Sequence, residues 1–182
     1  MRAQPNGGEV AGLAECGDDA MGGRMTIELV VNGTARSVDA PDTTPLLDVL
    51  RNQLDLKGAR YGCGLEQCGS CMVLVDGAPV YACSREVGTV AGKHVTTIEG
   101  IGSIASPHPL QIAFLDEQAG QCGYCLSGII IEAKALLDRN NNPSRTEIAA
   151  ALDNHLCRCG AHPRILRAVA KAAAVIREGA TP

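Results

Sequence analysis

The stretch Gly62-Cys63-Gly64-Leu65-Glu66-Gln67-Cys68-Gly69-Ser70-Cys71 puts three thiols on one loop at C-x4-C-x2-C spacing, and Cys83 follows after eleven further residues. Three thiolates on a single loop can converge on one small inorganic core; a zinc site or four buried free thiols are the alternatives. Gly58, Gly62, Gly64 and Gly69 let such a loop adopt dihedrals closed to other residues. They also let backbone N–H groups approach an anionic centre and offset its charge. Cys83 would reach the same place from a neighbouring strand, through a tight turn at Asp76-Gly77.

The first three cysteines match the plant-type spacing for a 2Fe–2S cluster. Structural zinc sites pair C-x2–4-C knuckles, and one loop with three ligands plus a remote fourth is a poorer fit to them. Further along, Cys122 and Cys125 form C-x2-C, and Cys157 and Cys159 form C-x-C. This second set is ambiguous by itself, since two cysteine pairs about thirty residues apart also suit zinc. Both pairs fall where helices are expected to start. There the free N–H groups and the positive dipole end favour an anionic centre. Gly123 and Gly160 beside them permit close backbone approach.

Composition narrows the alternatives. The chain has 182 residues, nine of them cysteine, with 46% hydrophobic and 20% charged residues, ordinary for a globular protein. The net charge of −4 is spread without a basic run, which argues against nucleic acid as a partner. No stretch approaches the roughly 18 apolar residues of a membrane helix, and the first 25 residues lack the apolar core of a secretory signal. A cytoplasmic chain is therefore expected, although export as a folded complex on a partner's signal would leave no trace here. In that compartment, grouped cysteines read as metal ligands rather than disulfides. Aromatics are only Phe114, Tyr61, Tyr81 and Tyr124, so the core must be aliphatic.

The chain divides into three. Residues 1–24 are Gly-rich and aperiodic, expected as a flexible extension with Cys16 an incidental thiol. Residues 25–100 read as strands: Thr26–Val31 and Thr34–Val38 around the hairpin signal Asn32-Gly33, then Met72–Val75, Val80–Cys83 and His94–Ile98. Between them, Thr44 resembles a helix N-cap with Pro45 at the first helical position, and Leu46, Leu47, Val49, Leu50 and Leu54 form the buried side. Residues 101–182 change to a helical period. One helix should start at Pro107 or Pro109 and run to about Ala119. A second should span Gly123–Asp138 with Leu126, Ile130, Ala133 and Leu137 on one face. Asn140 to Pro143 breaks it, and Ser144 with Glu147 forms a capping box before Ile148, Leu152 and Leu156. The last helix should begin near Pro163 and present Ile165, Val169, Ala172 and Ile176. The expectation is an α+β chain: a 2Fe–2S domain of strands followed by a four-helix 2Fe–2S domain.

The cluster loop, together with Gln121-Cys122-Gly123-Tyr124-Cys125 and Leu156-Cys157-Arg158-Cys159-Gly160, resembles the small iron–sulfur subunit of molybdenum hydroxylases, the xanthine oxidase family. The resemblance covers about residues 25–178, and all eight ligand positions occur in order. It implies a β-grasp plant-type ferredoxin domain followed by a four-helix bundle. It implies ligation by Cys63, Cys68, Cys71 and Cys83, and by Cys122, Cys125, Cys157 and Cys159. It further implies that Gln121 and Cys159 contact a molybdopterin, of the cytosine dinucleotide type, held by a large partner subunit. Electrons would pass from that cofactor to the bundle cluster, then to the ferredoxin cluster, then to a flavin or c-type cytochrome subunit. No catalytic residue is expected in this chain. Leu126-Ser127-Gly128 and Gly160-Ala161-His162-Pro163 depart from the commoner Thr-Pro-Gly and Thr-Gly-Tyr. They are closer to the nicotinate, isoquinoline and aldehyde dehydrogenase branch linked to cytochrome acceptors, but they do not specify a substrate; the family resemblance itself implies a large subunit that oxidises an N-heteroaromatic or aldehyde.

Other residues carry less. Arg158, between two ligands, reads either as a charge that tunes a cluster or as a solvated side chain. His94, His108, His155 and His162 have no metal-ligand spacing among themselves, and Ser127 has no nucleophile context. A free-standing ferredoxin is the alternative function, but it would need only residues 26–98. A zinc-stabilised interaction module is a third reading, and it does not account for the glycine-dense first loop.

Overall fold

Two tight turns organise the first half of the chain. The computed structural model describes residues 25–179. The expected flexible extension and Cys16 lie outside the described residues. Strands β1 (Met25–Val31) and β2 (Thr34–Ala40) pair antiparallel from Val31 opposite Thr34. Their turn holds Asn32 and Gly33 at φ 51° and 77°, the left-handed pair that a two-residue hairpin matched to strand twist requires. Strands β3 (Met72–Val75) and β4 (Ala78–Tyr81) repeat the device at Asp76 and Gly77, φ 49° and 80°. Strand β5 (His94–Thr96) joins the hairpins, parallel to β1 and antiparallel to β3, giving the order β2-β1-β5-β3-β4.

Helix α1 (Leu46–Asp48) continues as a wider π turn over Val49–Gln53. It buries Leu46, Leu47, Val49 and Leu50 against β1, β2 and the inward side of β3. Pro45 does not open this helix as the sequence suggests. It is extended, at φ −57° and ψ 132°, no side chain caps the helix start, and it bridges to Glu86. That bridge holds Pro45 outside the helix.

The second half contains α2 (Pro109–Asp116), α3 (Leu126–Arg139), α4 (Arg145–Ala151) and α5 (His162–Arg177). They close over an aliphatic core that includes Leu110, Ile129, Ile148, Ile165 and Val169. The Ser144–Glu147 capping box forms as expected: Ser144 N–H donates to the Glu147 carboxylate at 2.7 Å and Glu147 N–H to the Ser144 hydroxyl at 3.2 Å. Helix α2 begins with Pro109 and is capped by His108, whose Nδ1 accepts from Leu110 N–H at 3.2 Å. It ends earlier than expected because Gln118 turns left-handed, φ 46°. Helix α3 starts at Leu126 rather than Gly123, because Gly123 sits at φ 75°, outside the right-handed helical region.

The halves meet along β3 and α3. All four residues of β3 are buried: Val73 and Val75 in the first core, Met72 and Leu74 against Ile131 and Ala135 of α3. Such a strand, covered on both faces, reads as a continuous apolar run rather than an alternating one. The closest approach is at Gly128, where a Cβ would lie 1.9 Å from the Gly69 carbonyl oxygen. Only glycine fits, and the obstacle is backbone. Gly128→Ala should therefore destabilise the protein by about 1–3 kcal/mol, as overpacking does. Chemical denaturation should show it, and a variant as stable as the parent would contradict this contact.

Candidate metal centres

The Cys63–Cys71 loop has little regular structure, and its shape comes from positive dihedrals at Gly64, Glu66 and Gly69, φ 69°, 57° and 72°. Arg60 N–H donates to the Ser70 carbonyl at 3.0 Å and closes the base of the loop. Inside it, backbone donors converge on sulfur. Leu65 and Gln67 N–H each lie 3.3 Å from Cys63 Sγ, and Cys63 N–H lies 3.4 Å from Cys68 Sγ. A Cβ on Gly62 would come within 2.6 Å of Cys68 Sγ, so the absence of a side chain there makes room for that thiol. Ser84 donates to the Glu66 carboxylate and ties the loop to the turn after β4.

Cys71 directly precedes β3, and Cys83 lies two residues past the end of β4 rather than within the strand as expected. The turn frees Cys83 from the sheet's alternation, so its thiol reaches Cys71. The four thus gather as two neighbouring pairs, Cys63 with Cys68 and Cys71 with Cys83. Their acidities diverge. For Cys63, desolvation is the largest single influence and opposes ionisation. The N–H groups of Leu65 and Gln67, with the Cys68 thiol, outweigh it and bring the pKa down to about 7. Burial pushes Cys71 up to about 12.

The second set is built in the same way. Cys122 and Cys125 lie just before α3, and Cys157 and Cys159 just before α5. Cys122 Sγ and Cys159 Sγ are 3.5 Å apart, and the Cys125 and Cys157 thiols meet in the buried layer beneath. The Tyr124 N–H, then the Cys159 thiol, hold Cys122 below the usual thiol range. Burial pushes Cys125 up to about 12. Gly123 and Gly160 both have left-handed φ, 75° and 68°, and in each case it is conformation rather than crowding that requires glycine.

All eight cysteines in these two sets are free thiols. Among the described residues no three His, Cys, Asp or Glu side chains converge as a single-ion site; the arrangement is pair beside pair. Four thiols, two to each metal, are the donor set of a 2Fe–2S cluster, and the N–H groups aimed at sulfur suit its negative charge. The residues present fit such a group.

Gln121 is exposed beside Cys122 and borders a cavity of about 620 Å³ with Gln111, Phe114, Leu115, Leu126 and Arg164. Arg158 is exposed. His155, without a role in the sequence reading, is buried at 4% exposure with its ring over Gly69, where a Cβ would meet Nδ1 at 2.1 Å. Arg60 is the other residue the sequence reading missed. Its side chain leaves the first loop and donates to the Gly123 carbonyl at 2.8 Å. Neither residue has a local signal, because each partner lies on a distant loop.

Two family models match: "2Fe-2S iron-sulfur cluster binding domain" over residues 29–93 and "[2Fe-2S] binding domain" over residues 97–170. The chain is 53% identical over 155 residues to a nicotinate dehydrogenase subunit of Pseudomonas putida, covering 85% of this chain and 99% of that protein. It is 45% identical to the alpha subunit of isoquinoline 1-oxidoreductase of Brevundimonas diminuta, covering 81% and 97%. Among solved structures, quinoline 2-oxidoreductase from Pseudomonas putida 86 superposes with a TM-score of 0.81 at 33% identity, covering 86% of this chain and 98% of that one. The aldehyde oxidoreductase of Desulfovibrio desulfuricans superposes at 0.82 with 44% identity, and there the match spans 18% of the longer chain.

Crowding at Gly62 gives a direct check. Gly62→Ala should displace Cys68 Sγ and cost the first set its metal, so the purified variant should carry about half the parent's iron. Full iron content in that variant would contradict the loop geometry.

Proposed function

We infer the role of this chain from its family: it belongs to the small iron–sulfur subunits of the molybdenum hydroxylases and transfers electrons within an oxidoreductase. We propose that Cys63, Cys68, Cys71 and Cys83 ligate one 2Fe–2S cluster and that Cys122, Cys125, Cys157 and Cys159 ligate a second. The pair-beside-pair grouping of thiols in each set carries this reading. When bound, the clusters supply one-electron carriers between a two-electron oxidation in a partner and the final acceptor.

This chain's residues provide the path between the two sets. The Leu156 N–H donates to the Cys68 carbonyl at 3.1 Å. Leu156 is bonded to Cys157, so one hydrogen bond and a few covalent bonds connect a ligand of the first set to a ligand of the second. Next to that bridge, Gly69 and Gly128 bring the backbones of the two halves into close approach.

The finer assignments form one proposal. Residues 25–100 form the ferredoxin domain, of β-grasp type, and residues 101–182 the four-helix-bundle domain. Gln121 and Cys159 face the large partner and contact the molybdopterin it holds, of the cytosine dinucleotide type, while the open cavity beside Gln121 receives that partner. The acceptor beyond the first set is a flavin or c-type cytochrome subunit. The names of the nicotinate and isoquinoline relatives support an N-heteroaromatic substrate, with an aldehyde as the alternative. No described helix is long and apolar enough to cross a membrane, and we assign the complex to the cytoplasm.

Gln121 is exposed, so removing its amide should not disturb the thiols. In the complex purified with its large subunit, Gln121→Ala should lower molybdenum content several-fold while iron per chain stays at the parent's level. Unchanged molybdenum occupancy would remove Gln121 from the cofactor contact.

A further inference from the structure

One cation crosses the seam between the halves and is fixed on the second cysteine set. Arg60 belongs by backbone to the first loop, through its bond to Ser70. Its side chain runs the other way. Nη1 donates to the Gly123 carbonyl at 2.8 Å, and the guanidinium carbon lies 5.3 Å from the centroid of the Tyr124 ring. Gly123 and Tyr124 are the two residues between Cys122 and Cys125. The Tyr124 hydroxyl donates back to the Tyr61 carbonyl, so the C-x2-C loop is tied to Arg60 and Tyr61 by three contacts. Arg60 is half-buried, and among the described residues no carboxylate forms an ion pair with it. Its charge therefore acts, with little neutralisation, on the loop that holds Cys122.

We propose that Arg60 is a positioning residue that raises the reduction potential of the cluster held by Cys122, Cys125, Cys157 and Cys159. The inference rests on the reading that those four thiols hold a cluster. Uptake of one electron from the large subunit makes that centre one unit more negative. A fixed cation beside a ligand favours the reduced form, and partial burial limits screening by salt. Arg158 is closer in sequence to the ligands, but it is exposed, and solvent weakens its effect. The first half of the chain thus tunes the electron affinity of the second.

The test is an EPR-monitored redox titration of the purified complex with Arg60→Met, Arg60→Lys and, as a reference, Arg158→Met. Arg60→Met should lower the midpoint of one cluster signal by about tenfold in its one-electron equilibrium, about 59 mV. Arg60→Lys should stay near the parent, and Arg158→Met should shift less than Arg60→Met. Should Arg60→Met fail to assemble, Arg60→Gln keeps a donor for Gly123 without the charge and gives the same comparison. Two intact signals at the parent's potentials in the charge-free variant would overturn the proposal. An equal fall in Arg60→Lys would overturn it too, because loop geometry would then be the cause. A parent complex with only one cluster signal would instead refute the second ligand set.

Discussion

Four thiolates brought together repel one another, and burying them makes ionisation harder still. That constraint shapes both halves of this protein. The inner thiols Cys71 and Cys125 show its cost, each pushed up to about 12 by burial. The outer thiols Cys63 and Cys122 show the compensation, each lowered with the help of backbone N–H groups aimed at sulfur. Regular helix or strand uses its N–H groups in its own ladder, so both cysteine sets sit where the chain is irregular. The sheet and helices hold those loops in place, and metal ligation couples to folding because the donors gather only in the folded chain.

The two halves are not independent carriers joined by a linker. Strand β3 packs one face into the first core and the other against Ile131 and Ala135 of α3, and the Gly69–Gly128 contact allows backbone to touch backbone. Across that seam run the Cys68–Leu156 hydrogen bond and the Arg60–Gly123 hydrogen bond. The first connects the two cysteine sets and the second reaches the loop between Cys122 and Cys125. A diffusing ferredoxin would need neither. A subunit that passes electrons in one direction through a fixed complex needs both spacing and relative potential to be set by its fold.

Much of this was legible in the sequence, and what was missed follows a pattern. Asn32-Gly33 and Asp76-Gly77 announced their turns because only left-handed residues close a two-residue hairpin. Ser144 and Glu147 announced α4 because a capping box is local. The starts of the ligand-bearing helices were harder. The helix expected from Gly123 begins only at Leu126, because Gly123 at φ 75° lies outside the helical region. Pro45 looked like a helix opener until its distant bridge to Glu86 claimed it. The eight cysteines could be grouped from spacing and resemblance. Arg60 could not be connected to the second set, because its partner is 63 residues away and no periodicity reports such a contact.

The central claim is that each cysteine set holds its own 2Fe–2S cluster. Low-temperature EPR of the dithionite-reduced protein tests it most directly, with iron and zinc determined on the same sample. The account predicts two distinguishable S = 1/2 signals, each integrating to about one spin per chain. A single signal, or zinc in place of iron at either set, would contradict it.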